Sequence, residues 1–308
     1  MSHAFVSNAA HELQELATEV AWRQWRAIGG SAATKERWRS IVDPEALILV
    51  SLGLAAAERR IADVLYSWVE ANSTLLSVQR LKNLQRDYPA ATHDRLREFG
   101  GHISALGAHP RWSSFAGAHQ QHRKVDPPEV SRAIEAPTRH ATSLLLRLRI
   151  AMGVSVKADV LTVALGHDHA LDVREITDAL SYSPAAVRGA LEDLSRAGFL
   201  FAVGGEPMTF TAPHREWKEL LGLEEVPRWA AWHHWFALVT DLVAWTTTAR
   251  EVALSEYATD VQLRELTARH QLFFRQAAHE LGRAAFQKGV GSYPGLIDSL
   301  LQWAQRQD

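Results

Sequence analysis

The sequence predicts a mainly α-helical protein with one small β-ribbon, on three observations. Apolar residues recur at helical spacing along most of the 308 residues, whereas only 199–203 and 208–211 have the pattern of strands. Hydrophobic residues form 47% of the chain and charged residues 22%, which is enough apolar side chain for a buried core. There is no cysteine, so disulfide scaffolds, thiolate metal sites and cysteine nucleophiles are excluded.

The length of the chain, 308 residues, corresponds to two or three domains. Its N-terminus lacks the basic and apolar segments of a signal peptide, and its longest apolar run, 46–57, is shorter than the roughly 20 residues of a membrane span. We therefore expect a cytoplasmic protein without a membrane partner. The net charge of −2 excludes a protein that coats polyanions. The window 80–149 carries 12 basic and 6 acidic residues, which indicates either a solvated surface or a place for an anionic partner.

The N-terminal region, residues 1–137, is predicted to be helical. Apolar spacing predicts helices over 9–28, 44–57 and 60–71. The glycine pair at 29–30 ends the first helix, and Asp43 before Pro44 begins the second as an N-cap. The proline-rich segment 107–137 is predicted to be a long irregular connection.

The central region, residues 138–222, has the most informative pattern. Helical spacing over 138–152 and 157–166 is followed by two short helices, 174–180 and 184–197, that are joined by a tight turn. The two predicted strands come next in the chain. Two short helices joined by a tight turn and followed by a hairpin form a winged helix-turn-helix domain.

Local signals mark the ends of the second short helix. Ser183 is suited to be its N-cap and Pro184 to occupy its first position. Gly198 is suited to the left-handed conformation that ends a helix.

The stretch VREITDALSYSPAAVRGALEDLSRAGFLFAV resembles winged helix-turn-helix transcriptional regulators of the MarR/ArsR type. The match covers about 157–211, a quarter of the chain. The resemblance implies a transcriptional regulator that binds double-stranded DNA and places the helix 184–197 in the major groove. It also implies a homodimer, for which 138–152 and 228–285 are the candidate segments, and a small-molecule effector.

Carried onto this chain, the resemblance assigns Arg188 to a guanine base, Ser183 to a phosphate near the helix N-terminus, and Arg174 to the DNA backbone. The predicted DNA-contacting residues of this domain are Arg174, Ser183, Ala185, Arg188, Glu192 and Arg196. The alternative is a non-catalytic protein-interaction or scaffold protein whose winged domain binds another protein. The turn at 204–207, which has no basic residue, and the excess of 10 acidic over 6 basic residues in 153–221 favour that alternative.

The segment 62–103 repeats the spacing of the central helices. Ala62-Asp63-Val64-Leu65 recurs as Ala158-Asp159-Val160-Leu161, and, after one gap, Pro89-Ala90-Ala91 falls on Pro184-Ala185-Ala186. The match is either a second, degenerate helix-turn-helix or a chance agreement between two amphipathic segments. A real copy would place Arg95 and Arg97 against phosphates. Its basic residues, all expected on outer faces, are Arg80, Lys82, Arg86, His93, Arg95 and Arg97.

The C-terminal region, residues 223–308, is predicted to be helical over 228–285 and 294–306. One helical stripe is aromatic and apolar, with members at Trp229, Trp232, Phe236 and Val239. The stripe indicates either packing in a core or dimer interface, or an aromatic pocket for an effector.

No catalytic motif is present, and we predict neither an enzyme nor a cofactor. The spacing of Gly289, Gly291 and Gly295 does not follow a predicted strand, which argues against a dinucleotide loop. Histidine clusters occur at 119/122, 167/169 and 233/234. Without cysteine or an H-E-x-x-H pattern, we predict no metal site and interpret these histidines as solvated or capping residues.

Overall fold

The computed structural model describes residues 3–30, 38–55, 58–107, 109–115, 136–252, 255–281 and 293–307. Within these ranges the protein is mainly helical, as predicted, and has one small antiparallel sheet. None of the described helices combines the length and the apolar character that a bilayer span requires.

Five α-helices form the N-terminal part of the described chain. They are α1 (His3–Ala27), α2 (Pro44–Leu54), α3 (Arg59–Asn72), α4 (Val78–Leu84) and α5 (Ala90–Ala105). The carboxylate of Asp43 accepts a hydrogen bond from the amide of Ala46 at 3.2 Å, so this residue is the predicted N-cap of α2. Almost every residue of α2 is buried, which makes it the central helix of this part.

The predicted irregular connection contains a short 3-10 helix, Pro110–Phe115, that packs on α5. Gly100 of α5 makes room for it, because a Cβ there would lie only 2.5 Å from Cγ of Phe115. The rings of Trp112 and Phe115 are buried, so apolar packing overrides the proline and glycine content of this segment. Residues 116–135 of the predicted connection lie outside the described residues.

The central part contains five helices and three strands. The helices are α6 (Leu144–Met152), α7 (Val156–Leu165), α8 (Val173–Leu180), α9 (Pro184–Arg196) and α10 (His214–Leu221). The strands are β1 (Leu171–Asp172), β2 (Phe201–Val203) and β3 (Thr209–Thr211). The strand order is β1-β3-β2, all antiparallel, with Leu171 opposite Phe210 and Ala202 also opposite Phe210.

The strand β1 is absent from the sequence prediction. It has two residues, and it forms only because β3, almost forty residues later, supplies its hydrogen-bond partners. No local pattern in so short a segment can indicate such a pairing.

Four helices complete the described chain. They are α11 (Trp232–Val252), α12 (Glu256–Arg269), α13 (Gln271–Leu281) and α14 (Tyr293–Arg306). The predicted aromatic stripe consists of Trp229, which precedes α11, and of Trp232, Phe236 and Val239 within it. All four residues are buried, as expected for packing in a core. The ring of Trp232 packs edge to face against that of Trp303 of α14, with ring centroids 5.0 Å apart.

The buried apolar residues form two cores. The first joins α1–α5 with α11–α14, so the N-terminal and C-terminal regions share one hydrophobic interior, which we call the helical body. The second core lies within residues 144–223 and also includes Ile41, Val226 and Trp229; we call these helices and strands the central unit. Most of the described apolar residues in the two candidate dimer segments therefore pack within this same chain, although Ile150 and Tyr257 are exposed.

Candidate nucleic-acid interface

Local caps fix the two helices that resemble a helix-turn-helix. At the start of α8, the amide of Glu175 donates to the carboxylate of Asp172, and the amide of Asp172 donates to the carboxylate of Glu175, both at 2.8 Å. Ser181 then adopts a left-handed φ of 57°, which ends α8. The hydroxyl of Ser183 accepts from the amide of Ala186 at 3.3 Å and starts α9, as predicted.

The helix α9 has one buried and one exposed face. Four residues at helical spacing point into the second core: Val187, Ala190, Leu191 and Leu194. The opposite face exposes the residues assigned to it from the sequence: Ser183, Ala185, Arg188, Glu192 and Arg196. Because Ala185 and Gly189 carry little or no side chain, another molecule can approach this face closely.

The guanidinium groups on this side of the central unit are accessible. No ion pair among the described residues uses Arg188. Arg174 is 72% exposed and lies 3.9 Å from Asp178. Arg196 lies 3.6 Å from Asp193. Pairs of this kind at the surface contribute little, so both cations remain available to a stronger anionic partner.

The hairpin that follows α9 is apolar and carries no cation. Between Gly198 and Pro213 the sequence has no lysine or arginine, and the turn contains Glu206. The exposed fractions of Phe201, Val203 and Met208 are 55%, 43% and 54%. The strand β2 lies at the edge of the sheet, so its outer hydrogen-bonding groups are not used by the sheet.

The prediction that Arg80 lies on an outer face and contacts phosphate is wrong. Its side chain is fully buried and makes paired contacts with Asp43, at 2.5 Å from each oxygen, and one with Glu45 at 2.9 Å. The nearby carboxylates raise the pKa of Arg80 above its ordinary value although burial opposes the charge. Arg80 lies on a helix, but the face of α4 that carries it points into the protein.

The other basic residues of the segment 62–103 have different environments. Arg95 is half-buried, and its Nη1 donates to the carbonyls of Leu52 and Gly53, at 3.3 and 3.2 Å. It therefore caps the end of α2, and its expected place on an outer face is corrected. Arg97 is exposed and pairs with Asp94.

Lys82 lies 4.8 Å from the ring centroid of Phe115, in a cation–π contact. A cavity of about 350 Å³ opens beside it, and no acidic residue lines it. Its lining residues are Lys82, Gln85, His93, Arg97, Ser114 and Phe115. This part of the surface is therefore basic, as the charge of the window 80–149 indicates.

The helix α4 is joined directly to the turn between α8 and α9. The side-chain amide of Asn83 donates to the carbonyl of Ser181 at 3.0 Å, and Nε of Arg80 donates to the carbonyl of Leu180 at 3.2 Å. The helix that carries Lys82 therefore contacts the turn before α9.

A buried ionic network lies beneath this junction and is absent from the sequence predictions. Arg149 of α6 pairs with Glu45 at 2.6 Å and with Asp159 at 2.8 Å through both oxygens. With Arg80 and Asp43, the network holds three carboxylates and two guanidinium groups. The hydroxyl of Tyr182 donates to Asp159 at 2.8 Å, and burial, followed by this carboxylate, raises the pKa of Tyr182. The network therefore fixes the turn before α9 to the helical body.

One signal in the sequence could have pointed to this network. Glu45 is the one charged residue of PEALILVSLGL, and Arg149 and Asp159 each share an otherwise largely apolar helix with one other charge, in LLLRLRIAM and VKADVLTVAL. A buried charge in such a helix is expected to have a buried partner. The partners lie from 10 to 104 residues away in the sequence, and only the fold specifies which of them meet.

The histidine clusters differ in burial. His233 and His234 are 3% and 5% exposed, so they are not solvated; His234 instead caps α8, because its Nε2 lies 2.9 Å from the carbonyl of Asp178 in the last turn of that helix. Burial, with the charge of His233, lowers the pKa of His234 to about 3. His169 is exposed and lies beside His167, with ring centroids 5.4 Å apart. The pair at 119/122 and Gly289 with Gly291 lie outside the described residues.

Comparison with known proteins adds no relative. No family model matches the chain, and neither the curated proteins nor the solved structures contain a match to it.

Proposed function

We propose that the central unit is a winged helix-turn-helix domain and that the protein is a regulator that binds double-stranded DNA through α9. The observation that carries the proposal is the free outer face of α9, which follows α8 after a three-residue turn and precedes a hairpin. The strand β1 lies between α7 and α8 in the sequence and pairs with β3 of this hairpin.

The face of α9 suits the major groove. An α-helix with its side chains is about 10–12 Å wide, close to the roughly 12 Å width of that groove. The small residues Ala185 and Gly189 allow the helix to approach the base edges, and Arg188 between them is long enough to bind a guanine through two hydrogen bonds. The hydroxyl of Ser183 and the amide of Ala185 at the start of α9 are suited to a phosphate.

Phosphate contacts supply much of the affinity of a DNA-binding protein, and cations are present on α9 and on the two helices that contact its preceding turn. Arg174 lies on α8, and Lys82 and Arg97 lie on the basic surface that Asn83 joins to the turn before α9. Arg196 lies at the opposite end of α9. Arg80 and Arg95 are excluded from this role by their internal contacts.

The first prediction concerns Arg188. Arg188→Ala removes the one long cation in the middle of the exposed face and should weaken binding to the selected site by about 1–3 kcal/mol, with relaxed preference at one base pair. Arg174→Ala should instead weaken all sequences alike and lower the salt slope by about one unit. Fluorescence polarisation with duplexes selected from genomic fragments, titrated with salt, measures both effects.

The matched control is Arg215→Ala on α10. Arg215 is 85% exposed and pairs with Glu219, as Arg174 and Arg196 pair with neighbouring carboxylates, but it lies outside the proposed face. This variant should bind like the unmodified protein. If no duplex binds more tightly than random DNA at low salt, or if Arg188→Ala and Arg215→Ala are equivalent, the proposal fails.

A second candidate function, a non-catalytic protein-interaction module, rests on the hairpin. Its exposed Phe201, Val203 and Met208 and its lack of cations suit an apolar protein surface better than a phosphate backbone. Met208→Lys separates the two functions. For a DNA-binding wing, the added cation should raise DNA affinity and steepen the salt dependence, whereas for a protein-binding hairpin the DNA affinity should not change.

A further inference from the structure

We propose that Asp87, His233 and His234 form a binding site for one divalent transition-metal ion of the zinc class. One ligand atom from each of these three residues lies within 4.8 Å of the other two. Ligands of a tetrahedral zinc ion at bond lengths of about 2.0–2.2 Å stand roughly 3.3 Å apart, so small side-chain movements bring the three atoms to bonding distance. The proposal does not depend on DNA binding.

The orientation of His234 is that of a metal ligand. Its Nε2 lies 2.9 Å from the backbone carbonyl of Asp178. A carbonyl oxygen only accepts, so Nε2 carries the hydrogen and the lone pair of the neutral ring is on Nδ1. Histidines that bind metals have this same arrangement, in which a backbone carbonyl holds the non-coordinating ring nitrogen.

His233 has an unsatisfied nitrogen. Its Nε2 lies 2.8 Å from Oδ2 of Asp87, whereas its Nδ1 has no hydrogen-bond partner among the described residues. The side chain of His233 is only 2% exposed, so bulk solvent does not reach this nitrogen. A metal ion at the site would replace the proton shared with Asp87 or bind the free nitrogen.

Asp87 gives the site its exit to solvent. Its side chain is 44% exposed, in contrast to the two buried imidazoles. An ion can therefore enter from this side, and a water molecule can complete the coordination of three protein ligands. Two imidazoles and one carboxylate favour Zn²⁺, Co²⁺ or Ni²⁺ over Mg²⁺ and Ca²⁺, which prefer oxygen ligands.

The site lies where the helical body meets the central unit. Asp87 belongs to the turn after α4 and both histidines to α11, whereas the carbonyl that orients His234 belongs to α8. An ion bound there holds α11 and the turn together and fixes the ring that contacts α8. Because it binds only the folded arrangement, it should raise the melting temperature of the whole protein.

The experiment uses the full-length protein without a histidine tag, stripped of metal with EDTA. Titration with Co²⁺, followed by visible absorption, and zinc analysis after dialysis should give one ion per chain. Asp87→Ala, a change at a partly exposed residue, should weaken binding at least about tenfold, as the loss of a ligand requires. The control is His169→Gln, because His167, Asp168 and His169 have the same chemical composition in an exposed turn that does not gather three ligand atoms.

Thermal unfolding gives an independent readout. At the same Zn²⁺ concentration, the melting temperature of the unmodified protein and of His169→Gln should rise more than that of Asp87→Ala or of His234→Gln. The metal-free melting temperatures show whether each variant is folded, and the Asp87 variant is expected to fold because its side chain reaches solvent. The proposal is overturned if the unmodified protein binds no ion, or if folded Asp87→Ala binds as tightly as the control.

Discussion

Asp43 illustrates how one residue serves local structure and the buried network together. It caps α2 through the amide of Ala46 and accepts two hydrogen bonds from Arg80. Burial alone would raise the pKa of Asp43, but the charge and hydrogen bonds of Arg80 hold it below its ordinary value. The carboxylate is therefore bound more strongly in its ionised form.

We predict that Asp43→Asn reduces the acid sensitivity of the fold. A carboxyl whose pKa is depressed in the folded state stabilises the protein above its unfolded pKa, near 4, and this stabilisation is lost as the pH falls through the folded pKa. The melting temperature of the unmodified protein should therefore fall steeply below about pH 4. The variant should have a lower melting temperature at pH 7, because Arg80 loses one of its two carboxylate partners. Its melting temperature should, however, fall less on acidification.

The exposed counterpart for this measurement is Asp193→Asn. A hydrogen bond from Lys157 lowers the pKa of Asp193 as well, but both side chains are about half exposed, so solvent screens the pair. Asp193→Asn should therefore change the pH dependence of the melting temperature less than Asp43→Asn does. Equal acid slopes for Asp43→Asn and the unmodified protein would show that Asp43 does not contribute to acid unfolding.

At the scale of elements, the junction between α7 and the chain before α11 depends on close backbone contact. Gly166 ends α7 in an ordinary right-handed conformation, so it is not required for its φ. Its carbonyl accepts from the amide of Trp229 at 2.8 Å, and a Cβ at this position would lie 2.6 Å from that same nitrogen. Space, and not backbone freedom, therefore requires glycine here.

We predict opposite effects for two glycine-to-alanine changes. Gly166→Ala should lower the free energy of unfolding by about 1–3 kcal/mol, because the clash is with backbone that cannot move cheaply. Gly189→Ala, in the exposed face of α9 with no atom within 4 Å of the new Cβ, should raise it by up to about 1 kcal/mol through helix propensity. Urea denaturation measures both, and a loss at Gly189 as large as that at Gly166 would contradict this account.

At the scale of the whole molecule, the ionic network connects the two cores. Asp43, Glu45 and Arg80 belong to the helical body, and Arg149 and Asp159 to the central unit. Desolvation makes such a network a weak source of net stability, but removing one partner leaves a charge buried without compensation. Its main effect is therefore to specify one arrangement of the central unit on the body.

We predict that Arg149→Met destabilises the protein by about 3–5 kcal/mol, because Glu45 and Asp159 lose their shared cation. The control, Arg215→Met, breaks a pair whose side chains are 85% and 69% exposed and should cost no more than about 1 kcal/mol. Chemical denaturation followed by circular dichroism measures both. If Arg149→Met lowers the free energy of unfolding no more than Arg215→Met does, the network does not hold the two cores together.

Local chemistry made much of the fold predictable. The cap at Asp43, the start of α9 at Ser183 and the positive φ of 76° at Gly198 are confirmed, because each depends on neighbours within a few residues. The two strands of the hairpin occur within their predicted ranges. The outer face of α9 also follows from helical spacing alone.

Only the tertiary structure decided which charges face solvent and which regions share a core. Hydrophobic periodicity distinguishes the faces of a helix, but a cation such as Arg80 can face inward where distant carboxylates meet it. The two-residue strand β1, the shared core of α1–α5 and α11–α14, and the grouping of Asp87 with His233 and His234 likewise depend on pairings across much of the chain. The sequence by itself determined the helices, their caps and the hairpin, because those interactions are local. Contacts between distant residues determined the buried network and the two candidate sites, because their geometry exists only after the chain has folded.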